Sequence, residues 1–384
     1  MDPTDETRVA NAARVYGRPT VSEQWLASYE SSFNGPGASR WKLASPLNVV
    51  LDATPLSIPT GGIRRYTAEL ARALAARYPA DAYWLSSDQP FDMPAGPPNL
   101  RRAPARPSRR WWALGLPAEL RRLEADVFHG TDFAVPYLPI RPAVMTLHDL
   151  SPWRAGVAAS ASRRVRQRTP WLLRMGLATM VLTPSETVRR EAMAHFHLRP
   201  DRVIATPLAP SLEPAPAPPR ARPYFLCVGA SDPRKNLRVV HDAWTQLRDR
   251  ADLIIAGRAD EHLPGAIYPG PVSDAELAAL YSGSEAFLYP STYEGFGLPV
   301  IEAMRCGAAV IASKDPAVME TAGGDAIHVD AHDPRAWLEA MRAALDPAFR
   351  AEWRDRGRKR ASAFTWERTA ILTREAYDEA RRLF

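Results

Sequence analysis

The sequence predicts an α/β fold of two parallel-sheet units, on three observations. In both halves short, often β-branched apolar runs alternate with stretches long enough for helices, the pattern of parallel strands joined by crossovers. At 384 residues and 46% hydrophobic content the chain exceeds one ordinary core, so two domains are expected. Between the halves stands SLEPAPAPPRARP, whose prolines deny the backbone both helix and ladder and predict an extended, semi-rigid spacer.

Residues 1–45 read as a polar N-terminal extension with a short helix near SEQWLASYES. The first unit spans 46–211. There NVVLDA reads as a buried strand, TPLSIPTGG as a loop, and IRRYTAELARALAARY as a helix presenting Ile63, Tyr66, Leu70 and Leu74 on one face. AYWLSS, ADVFHG, AVMTLHD, TMVLTPS and VIATPLA follow as further strands. The spacer occupies 212–223 and the second unit 224–364. That unit gives strand YFLCVGA, loop SDPRKN, helix LRVVHDAWTQLRDR, strand ADLIIAG, and helix SDAELAALYSG with a Ser273/Glu276 capping box. Strands EAFLYPS, AAVIAS and AIHVD and the helix DPRAWLEAMRAAL complete it, and an amphipathic helix fills 365–384. Two such sheets imply a cleft that binds ligand at the carboxyl ends of the strands.

Composition narrows the class. No run approaches the roughly 18 apolar residues of a membrane span, and MDPTDETRVA lacks the basic start and apolar core of a signal peptide, so a cytoplasmic protein is expected. Cys227 and Cys306 sit in apolar or helical patterns without metal-ligand spacing and read as core thiols. The net charge of +6 is uneven: residues 1–219 hold 27 Lys and Arg against 19 Asp and Glu, and residues 220–384 hold 22 against 24. The lysines are Lys42, Lys235, Lys314 and Lys359, so each stands out from an arginine-rich background.

The stretch STYEGFGLPVIEAM, residues 291–304, carries the sharpest chemistry. Gly295 and Gly297 fall where a strand ends and a helix begins, and Pro299 suits the first helical turn. A helix start offers unpaired N–H groups and a positive dipole end to a phosphate. Glu294, before the turn, and Glu302, inside the helix, are carboxylates suited to accept hydrogen bonds from sugar or ribose hydroxyls. In VGASDPRKNL the adjacent cations Arg234 and Lys235 fit a diphosphate whose charge grows as it leaves. In the first unit Gly61 and Gly62 open a helix, His148 and Asp149 end a strand in TLHDL, and Ser185 precedes a helix, where a serine commonly serves as N-cap.

EGFGLPVIEAMRCGAAVIAS resembles the donor-sugar signature of the retaining nucleotide-sugar glycosyltransferases of family four, and the resemblance covers about residues 46 to 370. It implies the GT-B fold, two Rossmann-like domains facing a central cleft, the first on the acceptor side and the second binding the nucleotide sugar, with the C-terminal helix crossing back to the first domain. It also implies catalytic roles for Glu294, His148, Lys235 and Arg234. Gly61, Gly62, Gly295, Phe296, Gly297, Leu298 and Ser185 would meet the donor, Glu302 would hold its ribose, and Asp149 would support His148. Relatives often place proline where Ala309 stands, and an arginine where Gly229 or Ala230 stands, which leaves Arg234 to do that work. The first-unit run LDATPLSIPTGGIRRYT with HDL, PRKN and EGFGLP is similar to bacterial mannosyltransferases that build surface polysaccharides. The expected donor is therefore GDP-mannose, and the expected acceptor a glycan or lipid-linked glycan hydroxyl. UDP-glucose, UDP-N-acetylhexosamine and a dTDP-6-deoxysugar stay open as donors. No Asp-x-Asp triplet occurs in the donor-side loops, so neither metal nor other cofactor is expected.

A nucleotide-sugar epimerase on the same fold is the alternative enzyme. A dehydrogenase is disfavoured because no strand runs into G-x-G-x-x-G. LRRAPARPSRRWWALGLPAELRRL and SRRVRQRTPWLLRM mix arginines with tryptophans and suit an anionic membrane surface. No nucleic-acid motif accompanies them, so a nucleic-acid partner is not expected.

Overall fold

The computed structural model describes residues 45–103, 110–154, 163–218, 220–229, 232–259 and 261–384, so the helix expected near SEQWLASYES lies outside the described residues. Two compact units emerge. One takes in Ala209–Phe364; the other holds the described residues up to Leu208 together with Thr365–Phe384.

The latter is built on a sheet of order β3-β2-β1-β4-β5-β6-β7, with β1 (Asn48–Asp52), β2 (Ala82–Ser86), β3 (Leu100–Arg102), β4 (Val127–Gly130), β5 (Ala143–Thr146), β6 (Met180–Thr183) and β7 (Val203–Ala205). Every pairing is parallel. Helices α1 (Gly62–Arg77), α2 (Leu116–Arg122), α3 (Arg163–Arg174) and α4 (Glu186–Phe196) lie along the connections. The strands β4, β5 and β6 are buried at every residue, as sheets covered on both faces require, which is why they read as continuous apolar runs and not as alternation.

The Ala209–Phe364 unit repeats the plan with order β10-β9-β8-β11-β12-β13, again all parallel. Its strands are β8 (Tyr224–Val228), β9 (Asp252–Ala256), β10 (Ile267–Gly270), β11 (Ala286–Tyr289), β12 (Val310–Ser313) and β13 (Ile327–Val329). Its helices are α5 (Leu237–Trp244), α6 (Asp274–Gly283), α7 (Leu298–Arg305), α8 (Pro316–Ala322), α9 (Pro334–Ala344) and α10 (Pro347–Ser362). The Ser273/Glu276 capping box at α6 is formed. Cys227 and Cys306 are both free and buried.

Several elements depart from the sequence reading. Strands β3 and β10 were not anticipated: both are sheet edges, and LRR buries only its leucine while IYPG contains a proline, so neither carries a strong apolar pattern. Helices α8 and α10 were not anticipated either. Each starts at an Asp-Pro step, Asp315–Pro316 and Asp346–Pro347, whose aspartate caps the helix and whose proline takes its first turn. Helix α5 is shorter than its pattern, ending at Trp244, whose indole N–H donates to the Ala251 carbonyl at 2.8 Å and closes the chain into turns. The proline segment is not a free spacer throughout, since Leu212 is 3% exposed within the core around Tyr224, Leu226 and Tyr281.

Helix α11 (Trp366–Leu383) packs within the unit of the first sheet, chiefly along α1. A buried ion pair fixes it: Arg374 Nε lies 2.7 Å from Asp81 Oδ2, with side chains 6% and 5% exposed. Asp81 also accepts the Leu47 N–H at 2.7 Å and the Tyr83 hydroxyl at 2.9 Å. Arg374→Ala leaves that carboxylate buried without its counter-charge and is expected to cost about 3–5 kcal/mol, measured as a lower urea unfolding midpoint; Arg374→Lys should restore part of the loss.

Candidate functional site

Strand β8 ends at Val228, and Gly229 turns the chain at φ +81°, its N–H donating to the Ala256 carbonyl at 2.9 Å. Glycine stands there because an L side chain rarely adopts that backbone conformation. A short turn, Pro233–Lys235, follows, and Asp232 organises it: its Oδ1 accepts the Arg234 N–H at 3.0 Å, while its Oδ2 accepts Arg234 Nε at 2.8 Å and Nη2 at 2.6 Å. The Arg234 carbonyl accepts the Thr292 N–H at 2.9 Å, so the loop after β8 is tied to the loop after its sheet neighbour β11.

That tie brings Lys235 to Glu294, 59 residues away in sequence. Lys235 Nζ donates to Glu294 Oε1 at 2.7 Å and to the Tyr289 hydroxyl at 3.0 Å, and lies 4.7 Å over the Tyr289 ring. The paired side chains are 17% and 13% exposed. Burial works against the Glu294 charge, yet the Lys235 ammonium and its hydrogen bond hold this carboxyl below the usual glutamate range. The Glu294 N–H donates to Asp315 Oδ2 at 3.3 Å, and Asp315 Oδ1 caps α8 by accepting the N–H groups of Ala317 and Val318. Burial, with the Glu294 charge adding to it, pushes Asp315 up to about 6.

Gly297 is the N-cap of α7 at φ +88°, and Pro299 lies in the first turn. A side chain at Gly297 would be strained by that φ. Gly295 is buried, Leu298 half-buried, and Phe296 packs edge-on against Phe364 at 5.8 Å. Glu302 lies one turn into α7 and is 4% exposed. Lys235, Arg234, Glu294 and the start of α7 therefore share one carboxyl edge of the second sheet.

In the first-sheet unit, Gly61 caps α1 at φ +129° and Gly62 begins it; both are exposed. His148 follows β5, and its Nε2–H donates to the Thr131 carbonyl at 2.8 Å. Since a carbonyl only accepts, Nε2 carries the proton and Nδ1 keeps the lone pair of the neutral ring. Burial lowers the His148 pKa although Thr131 and Asp149 favour the charged form, so the ring is neutral near pH 7. Asp149 Oδ1 accepts the Ser151 N–H at 2.8 Å and shapes the turn after His148. Ser185 is fully buried and caps α4, its Oγ accepting the Val188 N–H at 3.1 Å.

Tyr289, Asp232 and Asp315 take part in this site although the sequence reading did not single them out. Asp315 had a legible signal, an Asp-Pro step after a strand. The partnership of Tyr289 with Lys235 depends on β8 and β11 being sheet neighbours, with the loops after them tied together. Burial also pushes Asp52 and Asp132, at the carboxyl ends of β1 and β4, up to about 6. Among the described residues, no three His, Cys, Asp or Glu side chains are grouped so as to hold a metal ion.

Each of the two αβ units carries these residues at the strand ends of an all-parallel sheet, a plan found among glycosyltransferases. Family models match both halves, Glycosyltransferase Family 4 over residues 60–213 and Glycosyl transferases group 1 over residues 211–360, and the chain belongs to this glycosyltransferase family. It is 28% identical over 385 residues to O-antigen chain mannosyltransferase B of Escherichia coli, covering 86% of this chain and 99% of that one. Among solved structures it superposes on sucrose-phosphate synthase from Thermosynechococcus elongatus with a TM-score of 0.67, at 21% identity, covering 86% of this chain and 98% of that one. Anabaena HepE in complex with UDP and glucose matches with a TM-score of 0.61 at 15% identity, covering 86% and 98%. These likenesses establish the GT-B fold.

Removing one member of the Lys235–Glu294 pair should hurt more than removing both. Lys235→Ala leaves a buried carboxylate unpaired, a loss on the order of 3 kcal/mol at neutral pH, whereas Lys235→Ala combined with Glu294→Gln should recover part of it. In the single variant burial raises the Glu294 pKa above its unfolded value, so the penalty should fade as the pH drops through that raised value toward about 4.3. Denaturation midpoints of the wild type and the two variants at pH 7 and pH 4.5 measure both effects.

Proposed function

We propose that this protein transfers mannose from GDP-mannose, with retention at the anomeric carbon and without a metal ion, to a hydroxyl of a glycan or lipid-linked glycan in polysaccharide synthesis. The observation that carries the reading is the Lys235–Glu294 pair beside the Gly297 turn, which sets a cation, a carboxylate and a helix N-terminus along one sheet edge. A leaving diphosphate needs the first and third of these; the hydroxyls of a donor sugar need the second. The mannosyl choice follows the E. coli mannosyltransferase matched over nearly its full length.

In this reading the bond between the anomeric carbon and the β-phosphate oxygen breaks as the acceptor oxygen bonds on the same face of the sugar, and the acceptor proton passes to the leaving phosphate oxygen. Charge grows on the diphosphate, where Lys235, Arg234 and the first N–H groups of α7 meet it. Both cations are held by carboxylates, Arg234 by Asp232 and Lys235 by Glu294, so donor binding trades these partners for phosphate while Glu294 turns to sugar hydroxyls. Glu302 takes the ribose. Neutral His148, in the first-sheet unit, is assigned a hydroxyl of the transferred sugar as partner for its Nδ1 lone pair, and the exposed Gly61–Gly62 backbone is assigned a donor phosphate oxygen.

The acceptor side suits a peripheral stay on an anionic membrane. Among the described residues no helix is long and apolar enough to cross a bilayer. Trp111 is buried and Trp112 lies under the Arg168 guanidinium, so only part of the arginine and tryptophan stretch is surface, and residues 104–109 lie outside the described residues. Exposed apolar side chains include Trp171, on α3, and Met175, just after it; Arg163, Arg164, Arg166 and Arg174 of that helix are exposed too, and Leu114 and Leu138 are exposed elsewhere in the same unit.

A thermal-shift panel of GDP, UDP, dTDP and ADP with their common sugars tests the donor: GDP and GDP-mannose should stabilise the protein selectively, and less so after Lys235→Ala. A response confined to UDP or dTDP would keep the enzyme class and replace the donor. Glu294→Ala should lower turnover about 100-fold or more with a smaller change in nucleotide affinity, and proton NMR of the product should give an α-linkage from the α-configured donor. Flotation with liposomes should favour anionic over zwitterionic lipid, and Trp171→Ala with Met175→Ala should weaken it.

A further inference from the structure

The role assigned to His148 above requires its ring to be held still, and the first-sheet unit contains a buried device that reaches it. Tyr377, on α11, has its hydroxyl 2.7 Å from His129 Nδ1. His129 Nε2 lies 2.8 Å from Thr146 Oγ1, and Thr146 Oγ1 lies 2.9 Å from the Tyr66 hydroxyl. The Tyr66 ring then meets the His148 ring edge-on, centroids 4.8 Å apart and planes at 83°. Tyr377 and His129 are 0% exposed, Tyr66 1% and Thr146 2%. Resting on the transferase reading, we infer that this chain of four polar groups makes Tyr377, His129, Thr146 and Tyr66 positioning residues for His148, so that the terminal helix helps to set the transfer site.

Placement supports it. His129 and Thr146 sit at the carboxyl ends of the adjacent strands β4 and β5, and Thr146 is two residues before His148. Tyr66 lies on α1 one turn after Gly62, so the same side chain that abuts His148 also anchors the helix that the Gly61–Gly62 turn begins. Trp366, the first residue of α11, touches Tyr66 from another side at 6.4 Å. Phe133 closes the His148 ring on a further face at 6.1 Å.

The chemistry of the chain ties its proton positions to one another. A neutral imidazole has one donor and one acceptor nitrogen, and each hydroxyl has one proton to give. The three bonds can therefore all be made, in one direction or the other, only if the imidazole tautomer and the three hydroxyl orientations agree. Burial, helped by the neighbouring His148, holds the His129 pKa down to about 3, so the ring stays neutral across the working range. Apolar side chains of similar volume would fill this space with no desolvation cost; what a fully satisfied polar chain adds is a single geometry. Deleting the Tyr377 hydroxyl leaves His129 Nδ1 buried without its partner and releases the tautomer that orders Thr146 and Tyr66.

Tyr377→Phe and Tyr66→Phe are the test, because each removes one hydroxyl and keeps the ring that packs. Each is expected to lower kcat about 10-fold with the donor KM changed less than about twofold, and the double variant should be no worse than about either single, since the members act as a unit. Nitrogen-15 histidine labelling adds a readout independent of turnover: the His148 ring resonances should shift in both variants. Thr369→Val is the control, since it removes the bond from α11 to the Pro207 carbonyl at 2.6 Å without touching the chain; it should lower Tm and leave both kcat and the His148 resonances unchanged. Unchanged kcat and unchanged His148 resonances in Tyr377→Phe, with only Tm reduced, would overturn the inference. Should wild-type protein transfer no sugar from any donor, the transferase reading fails, and the His148 resonances still decide whether the chain positions that ring.

Discussion

The constraint on which everything else depends is that both sheets are parallel throughout. Parallel strands end on the same edge, so every loop that follows a strand in one unit opens on that edge and most lead into a helix start. Residues far apart in sequence meet there for that reason alone. Lys235 follows β8 and Glu294 follows β11, and because β8 and β11 are hydrogen-bonded neighbours the two side chains reach each other. His129, on β4, and His148, just after β5, follow the same logic. The crossover helices cover the faces, which leaves the carboxyl edge as the place where polar chemistry is cheapest to expose.

Electrostatics at these edges is arranged by opposing causes. Glu294 is buried and still charged because Lys235 is within hydrogen-bond distance. Asp315, Asp52 and Asp132 are buried with less help and are pushed up to about 6. By linkage each of these three binds its proton more tightly in the folded state, so each erodes stability as the pH rises from about 4 toward 6. Glu294 acts in the opposite sense: its contribution is present at neutral pH and is lost as the pH falls through its depressed value. Active-site edges commonly carry such unfavourable burial, because groups optimised for folding would be paired out of reach of a substrate.

The terminal helix adds a second kind of constraint. Helix α11 belongs to the first-sheet unit although 156 residues of the other unit, Ala209–Phe364, precede it in the chain. Its hold is polar as well as apolar: Arg374 on Asp81, Thr369 on the Pro207 carbonyl, and Tyr377 on His129. Directional bonds of this kind fix rotation and register along a helix more strictly than an apolar stripe does, and they place its tyrosine at the carboxyl ends of β4 and β5.

The sequence by itself determined the αβ alternation, most of the strands and the two glycine turns, because buried parallel strands are continuous apolar runs and a left-handed turn before a helix demands glycine. It also carried the motif around Glu294 and Glu302, whose residue types and spacing are local. Edge strands β3 and β10 and helices α8 and α10 escaped, since an edge strand needs little apolar content and a helix capped by Asp-Pro can start without a strong apolar stripe. Only the tertiary structure decided who partners whom: Lys235 with Tyr289 and Glu294, Asp232 with Arg234 against its own helical turn, Asp315 with the Glu294 backbone, and Tyr377 with His129 across 248 residues. Those contacts follow from strand order and helix return, which depend on the packing of the whole chain and leave no local trace in composition or spacing.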